Sequence, residues 1–458
     1  MPATLKKSCR CRTLGLFIVI FFLSFTGQLR AALFQSYIAY PTGSHPESVA
    51  IADLNGDLRK DVAMCTSFGF NTNDDSILVF YQNASNRFDA PIRYAAGASA
   101  YSIAIADFNG DGLNDIAVGK KTSGIRVFTQ DSQGSFSNFT DYATSYANWI
   151  CTGDFNNDGA ADLAGIGFSG SKVALFIQTN GALAFATNID ASYSGNNDIE
   201  AGDVNNDGLT DIVVMNGQSF ATPNVSVLLQ TTNGFAPATI YDLGGSELTA
   251  GVGVGDVNGD ERNDLVVSYG GNRPASKIAI FQLAADGTVT VTNRFDSYDI
   301  PQPIAVSDMD LDGRADIVTL HGGWQTLGVY WQNANGTLST EQMFQPLPSV
   351  SRYNSHGLAI GDINSDGMPD AVIADSNNGL IVLTNGLPHP KLTISKIRTK
   401  PEGRIVLTAP YRGTNSLCVV EGSDSMTNWA PIGMMTDYTW TDTNGPVLPR
   451  RFYRLRAQ

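Results

Sequence analysis

"ADFNGDGLND", residues 106–115, packs three aspartates, two asparagines and two glycines between apolar runs. Its pattern returns as "DLNGDLRKD" (53–61), "DFNNDGAAD" (154–162), "DVNNDGLTD" (203–211), "DVNGDERND" (256–264), "DMDLDGRAD" (308–316) and "DINSDGMPD" (362–370). The starts lie 54, 47, 49, 53, 52 and 54 residues apart. Self-similarity at such a spacing marks a repeat architecture. Seven units cover residues 33–386.

Each unit has one grammar. A small, apolar run precedes the acidic loop, as in "SVAIAD" and "SIAIAD". A second run follows at once ("DVAMC", "DIAVG", "DIVVM"), then a third ("ILVFYQN", "IRVFTQD", "VSVLLQT") and a more variable fourth. The runs are short, β-branched or aromatic, and bounded by Gly, Asn, Asp and Ser, so they read as strands. They are apolar at successive positions, so both faces of each sheet should be covered. Four strands repeated seven times point to a β-propeller. "LFQSYIAYPTG" (33–43) resembles a fourth run without the preceding three, and the seventh unit lacks its own. The first strand can therefore complete the last blade, which an open solenoid would not need. The expected class is all-β, with a seven-bladed propeller over 32–390 and a small β-sandwich-like module over 391–458.

In the second loop Asp107, Asn109 and Asp111 occupy positions 1, 3 and 5, and Asp115 occupies position 9. Alternating oxygens can converge on one point, Gly112 permits a sharp turn, and the carbonyl at position 7 can add a ligand. Hard oxygen donors without His or Cys suit Ca²⁺ better than Mg²⁺ or zinc. The equivalent candidates are Asp53, Asn55, Asp57 and Asp61; Asp154, Asn156, Asp158 and Asp162; Asp203, Asn205, Asp207 and Asp211. The set continues with Asp256, Asn258, Asp260 and Asp264; Asp308, Asp310, Asp312 and Asp316; Asp362, Asn364, Asp366 and Asp370. An EF-hand is excluded, because no helix flanks the loop and the last acid comes three residues early. The competing explanation is turn chemistry alone, which also favours Asn, Asp and Gly. On this reading, plain turns have no use for the carboxylate at position 9. Up to seven Ca²⁺ ions are expected, bound less well where Leu58 and Glu261 replace the glycine at position 6.

Composition fits a globular, turn-rich chain, with 46 Gly and 16 % charged residues among 458. Residues 1–31 read as a cleaved secretory signal, with a basic front, the apolar "LGLFIVIFFLSF" (14–25) and small residues around Ala31 and Ala32. An uncleaved anchor is the alternative. Removing the segment leaves 24 Lys and Arg against 44 Asp and Glu, a net charge of −20. Such a surface disfavours nucleic acid. The seven loops hold 23 of the 44 carboxylates, so crowding of like charge makes a cation expected there. Cys65, Cys151 and Cys418 remain after the leader. That is no disulfide framework, and Cys65 and Cys151 read as small buried side chains.

The D-x-N-x-D-G-x-x-D loops and the strands before them resemble the FG-GAP/VCBS repeat, the unit of integrin α-chain propellers and of many secreted bacterial proteins. The resemblance covers about 350 residues. It implies a seven-bladed propeller with Ca²⁺ held between two strands of each blade, on the loop positions named above. It does not fix one activity. Residues 391–458, with ten basic and five acidic residues, are similar to small C-terminal β modules of secreted bacterial proteins, through Trp429 and "RRFYRLR" (450–456).

No nucleophile elbow, P-loop, dinucleotide fingerprint or zinc spacing occurs. The expected function is a secreted or cell-surface calcium-binding module for an extracellular glycan or protein, with the periplasm as an alternative location and no stable membrane insertion after cleavage. The alternatives are a polysaccharide lyase or glycosidase on the same scaffold, and a spacer displaying the tail. Loop-tip residues on the face opposite the acidic loops are the candidate ligand contacts: Trp149, Tyr269, Arg273, His321 and Trp324, joined by Phe68, Phe70, Tyr193, Phe220 and Tyr353.

Overall fold

The computed structural model describes residues 33–387, apart from short segments, and six strands between 396 and 457. The expected leader, Phe68, Phe70, Tyr193, Phe220, Tyr353 and Trp429 lie outside the described residues. By its contacts the chain divides into two units, Ala31–Pro390 and a second that takes in Lys391–Gln458. The described part of the second unit holds two three-stranded antiparallel sheets.

The described part of the first unit holds seven four-stranded antiparallel sheets and a two-stranded hairpin, Gln230–Thr231 with Gly234–Phe235. In the first blade the strands are His45–Ala52, Asp61–Ser67, Ser76–Phe80 and Ile92–Ala95, hydrogen-bonded in chain order. Five more blades repeat this order. The seventh takes three strands from its own stretch, Leu358–Gly361, Asp370–Asp375 and Gly379–Asn385, and its fourth from Phe34–Tyr40. Tyr37 lies opposite Leu383 and Tyr40 opposite Leu380, antiparallel. The split unit of the sequence therefore closes the ring as expected.

The first strand of each blade packs against the first strands of both neighbours, and Leu358–Gly361 returns to His45–Ala52. These strands thus line the axis, and closure buries both faces of second strands such as Asp61–Ser67 and Asp115–Lys120, while outer strands such as Asn138–Tyr142 stay largely exposed. The apolar runs explain the packing. In Asp61–Ser67, Val62 and Met64 face blade 7, while Ala63 and Cys65 face blade 2. The same two-sidedness produces seven hydrophobic clusters, one for each blade–blade junction. The free thiols of Cys65 and Cys151 are buried in two of these clusters.

Strands alternate in direction along a blade, so connections from first to second and from third to fourth strand share one face. The acidic loops lie there. The other connections lie on the opposite face.

Candidate metal centre and ligand face

Each acidic loop is anchored by its second residue. Leu54, Phe108, Phe155, Val204, Val257, Met309 and Ile363 are all buried, each in a different junction cluster. Full burial of such a side chain stabilises by roughly 1.5–3 kcal/mol, enough to fix the loop's entry. From there the backbone curls around the aspartate at position 1. In the second loop Asp107 Oδ1 accepts from the N–H groups of Asn109, Gly110 and Asp111 at 3.2, 2.6 and 3.2 Å, and Oδ2 accepts from Gly112 at 2.8 Å. Asn109 Oδ1 accepts from Asp111 N–H, and Asp111 Oδ1 from Leu113 N–H. The same position-1 to position-6 bond recurs in all seven loops. These are successive side chain-to-backbone turns.

Two backbone positions adopt left-handed φ. Position 6 was legible from its glycines, and Leu58 and Glu261 are forced into the same region at φ 69° and 66°. Position 4 was missed. It is left-handed throughout, carrying glycine in three loops and Asn157, Asn206, Leu311 or Ser365 in the others.

Position 9 has backbone partners that the sequence reading did not foresee. Asp162 is fully buried, with Oδ2 accepting from Phe155 N–H at 2.8 Å and Oδ1 from Gln178 N–H at 2.8 Å. Asp61, Asp115, Asp211, Asp316 and Asp370 repeat both bonds, and Asp264 repeats the first. This carboxylate staples the acidic loop to the end of the third strand. A turn therefore does have a use for it, because two buried N–H groups would otherwise lack acceptors. Burial pushes these acids up, to about 6 for Asp61, Asp115, Asp162 and Asp264, about 7 for Asp211 and Asp370, and about 8 for Asp316. Repulsion from neighbouring loop aspartates adds to that effect in each.

In the sixth loop position 3 is itself an aspartate, and three carboxylates converge. Oxygens of Asp308, Asp310 and Asp316 all lie within 4.8 Å of one another. Burial and the neighbouring Asp310 charge raise Asp308 to about 6. Asp312 turns aside to Arg314, whose Nε donates to the Gln332 carbonyl at 3.1 Å. Arg59 repeats this arrangement with Asp57 and the Gln82 carbonyl. An arginine at position 7 is thus an internal counter-ion in two loops, a role the sequence reading missed. The donor set fits a hard divalent cation. It consists of carboxylate and amide oxygens, it crowds negative charge at short range, and it contains no imidazole or thiolate.

The opposite face differs from expectation in three residues. Trp149 and Tyr269 are 3 % and 5 % exposed and His321 is fully buried, so none offers a free face to solvent. Trp149 packs edge-on to Tyr101, and its Nε1 donates to Ser355 Oγ at 3.0 Å. Tyr269 belongs to the junction of blades 4 and 5. Their apolar bodies fill space between neighbouring blades, which no single repeat reveals. Arg273 and Trp324 do stay exposed. Both meet Tyr298, a residue the sequence reading did not single out. The Arg273 guanidinium lies 4.1 Å over its ring, and Trp324 and His321 meet it edge-on at 5.8 and 5.4 Å.

A second cluster gathers near the axis around residues 354–357. Asn354 Nδ2 donates to the Tyr101 carbonyl, and the His356 carbonyl accepts from Val49 N–H. His356 Nε2 sits 2.7 Å from Asp198 Oδ1 and 4.0 Å from Glu200 Oε1. One short segment before blade 7 therefore touches blades 1, 2, 3 and 4. Burial alone would lower His356, but the charges of Asp198 and Glu200 outweigh it and raise it to about 9.

Closed four-stranded blades, each with an acidic nine-residue loop between its first two strands, define a repeat β-propeller. The repeats are FG-GAP-like. The family model described as an FG-GAP-like repeat matches residues 107–165, 154–214 and 308–373, and the molecule is an FG-GAP-repeat β-propeller. Each matched span contains two of the acidic loops. The two loops outside them are those with Leu58 and Glu261 at position 6. No curated protein matches the chain.

Proposed function

We propose that this chain is a secreted, calcium-binding β-propeller that serves as a binding or adhesion module for an extracellular glycan or protein. The observation that carries the reading is the acidic turn recurring in all seven loops, with carboxylate oxygens converging at Asp308, Asp310 and Asp316. Bound Ca²⁺ would supply the positive charge that these loops lack. Positions 1, 3, 5 and 9 would hold it, and position 9 also ties the loop to the third strand. The leader-like residues 1–31 support export. The exposed Arg273 and Trp324 support recognition on the face away from the loops.

Calcium titration by calorimetry, paired with a glycan and matrix-protein array run with and without chelator, tests this. Calcium binding and at least one chelator-sensitive ligand are expected. Absence of calcium binding removes the metal part of the reading, and an empty array removes the recognition part.

The axial cluster favours one second reading, a polysaccharide-active enzyme. Asp198, Glu200 and His356 stand side by side on innermost segments, where paired carboxylates can act on a glycosidic bond. Release of reducing sugar or unsaturated product, abolished in His356→Ala with calcium binding intact, would establish it.

A further inference from the structure

Between blades 5 and 6, on the face away from the acidic loops, lies a cleft of about 350 Å³ lined by Arg273, Ser276, Asp296, Tyr298, Glu341 and Met343, among others. That volume is at the small end of ligand pockets, which run about 300–1,000 Å³. The walls are held from beneath. Glu341 Oε2 accepts from Tyr298 N–H at 2.7 Å, and Oε1 lies 2.9 Å from His321 Nε2. The other ring nitrogen of His321 donates to the Asp299 carbonyl at 3.1 Å. Gly328 makes this meeting possible, because a Cβ there would fall 2.2 Å from Glu341 Oε1.

Two groups face outward from this base. Asp299 Oδ1 accepts from Arg273 N–H at 2.6 Å and lies 3.4 Å from Arg273 Nε, which steers the guanidinium over Tyr298. The Arg273 side chain is nevertheless 56 % exposed. Trp324 is 41 % exposed on a tight turn, with its N–H donating to the His321 carbonyl and its carbonyl accepting from Thr326 N–H. Gly322 N–H donates across to the Ile300 carbonyl, tying that turn to the neighbouring connection. The guanidinium lines the cleft, and the indole, outside that lining, borders it by meeting the same Tyr298 ring 5.8 Å away.

We infer that this cleft is a saccharide site. The inference rests on the binding-module reading above and deepens it by naming where the ligand sits and its class. A sugar ring has an apolar C–H face that stacks on an exposed indole. Its hydroxyls donate to carboxylates such as Asp296 and accept from a guanidinium fork. A peptide anchor would need a larger apolar floor than Met343 and Pro274 provide.

The test uses the full chain in calcium. Binding of neutral hexasaccharides (cello-, xylo- and manno-oligomers) and of uronate hexasaccharides (galacturonan and alginate) is measured by calorimetry and tryptophan fluorescence. At least one probe binds the parent. Trp324→Ala and Arg273→Ala each weaken it by about tenfold or more, whereas Trp324→Phe stays within about threefold. Loss concentrated on the uronate arm identifies the sugar carboxylate as the partner of Arg273, and loss on the neutral arm identifies hydroxyls. Equal melting temperatures of parent and variants show that folding is unchanged. Unaltered affinity in both alanine variants overturns the site while leaving the module reading standing. A chain that binds a matrix protein but no saccharide overturns the sugar assignment alone. A chain that binds neither overturns both.

Discussion

A single carboxylate decides how each acidic loop is built. Asp162 takes two buried N–H groups, whereas Asp158, on the exposed rim, accepts from Ala160 N–H. Leaving a buried donor unsatisfied costs about 1–3 kcal/mol. Asp162→Ala should therefore lower stability by about 2–6 kcal/mol already in EDTA. Asp158→Ala should cost less than about 1 kcal/mol in EDTA, yet shrink the stabilisation that calcium confers. Urea denaturation in both media separates the two; equal losses in EDTA would refute the staple. Leu58 offers the complementary case. It is 89 % exposed and held at φ 69°, a conformation costing an L-residue about 1–2 kcal/mol. Leu58→Gly should raise stability by about 1 kcal/mol, and an unchanged or lower urea midpoint would show that the turn carries no strain.

At the scale of elements, the segment before blade 7 binds distant strands together. The His356–Asp198 contact joins blade 7 to the first strand of blade 4. His356 is raised from 6.5 to about 9 by its acidic partners. A raised histidine contributes stability that is complete below its unfolded value and is lost as pH rises through the folded one. His356→Ala should thus cost about 3–5 kcal/mol near pH 6, since a buried charge loses its partner. The difference from the parent should narrow toward pH 10. A pH-independent difference in melting temperature would show that the side chain only fills space.

Charge acts on the whole molecule. In the metal-free state the position-9 aspartates are raised from 3.8 to between about 6 and about 8, so the folded protein holds protons that the unfolded chain releases. Linkage then makes stability fall as pH rises from about 4 to about 8. Calcium should offset this by binding the ionised loops of the folded state. Scanning calorimetry is expected to show a larger calcium-induced rise in melting temperature at pH 8 than at pH 5. An equal rise at both, or a chelated protein that gains stability toward pH 8, would contradict it.

The sequence by itself determined the repeat, the number of blades, the closing strand and the place of the oxygen donors. These follow from periodicity and from turn chemistry confined to about nine residues, so each copy states them locally. Position 4 escaped notice because Asn157, Asn206, Leu311 and Ser365 hide a left-handed turn that glycine would have announced. Only the tertiary structure decided that position 9 is a staple, that Trp149, Tyr269 and His321 are buried, and that Tyr298 gathers Arg273 and Trp324. Those outcomes depend on which side chains from different blades meet when the ring closes. Residues 25 apart, such as Arg273 and Tyr298, or 206 apart, such as Trp149 and Ser355, become neighbours through blade geometry, which no single repeat encodes.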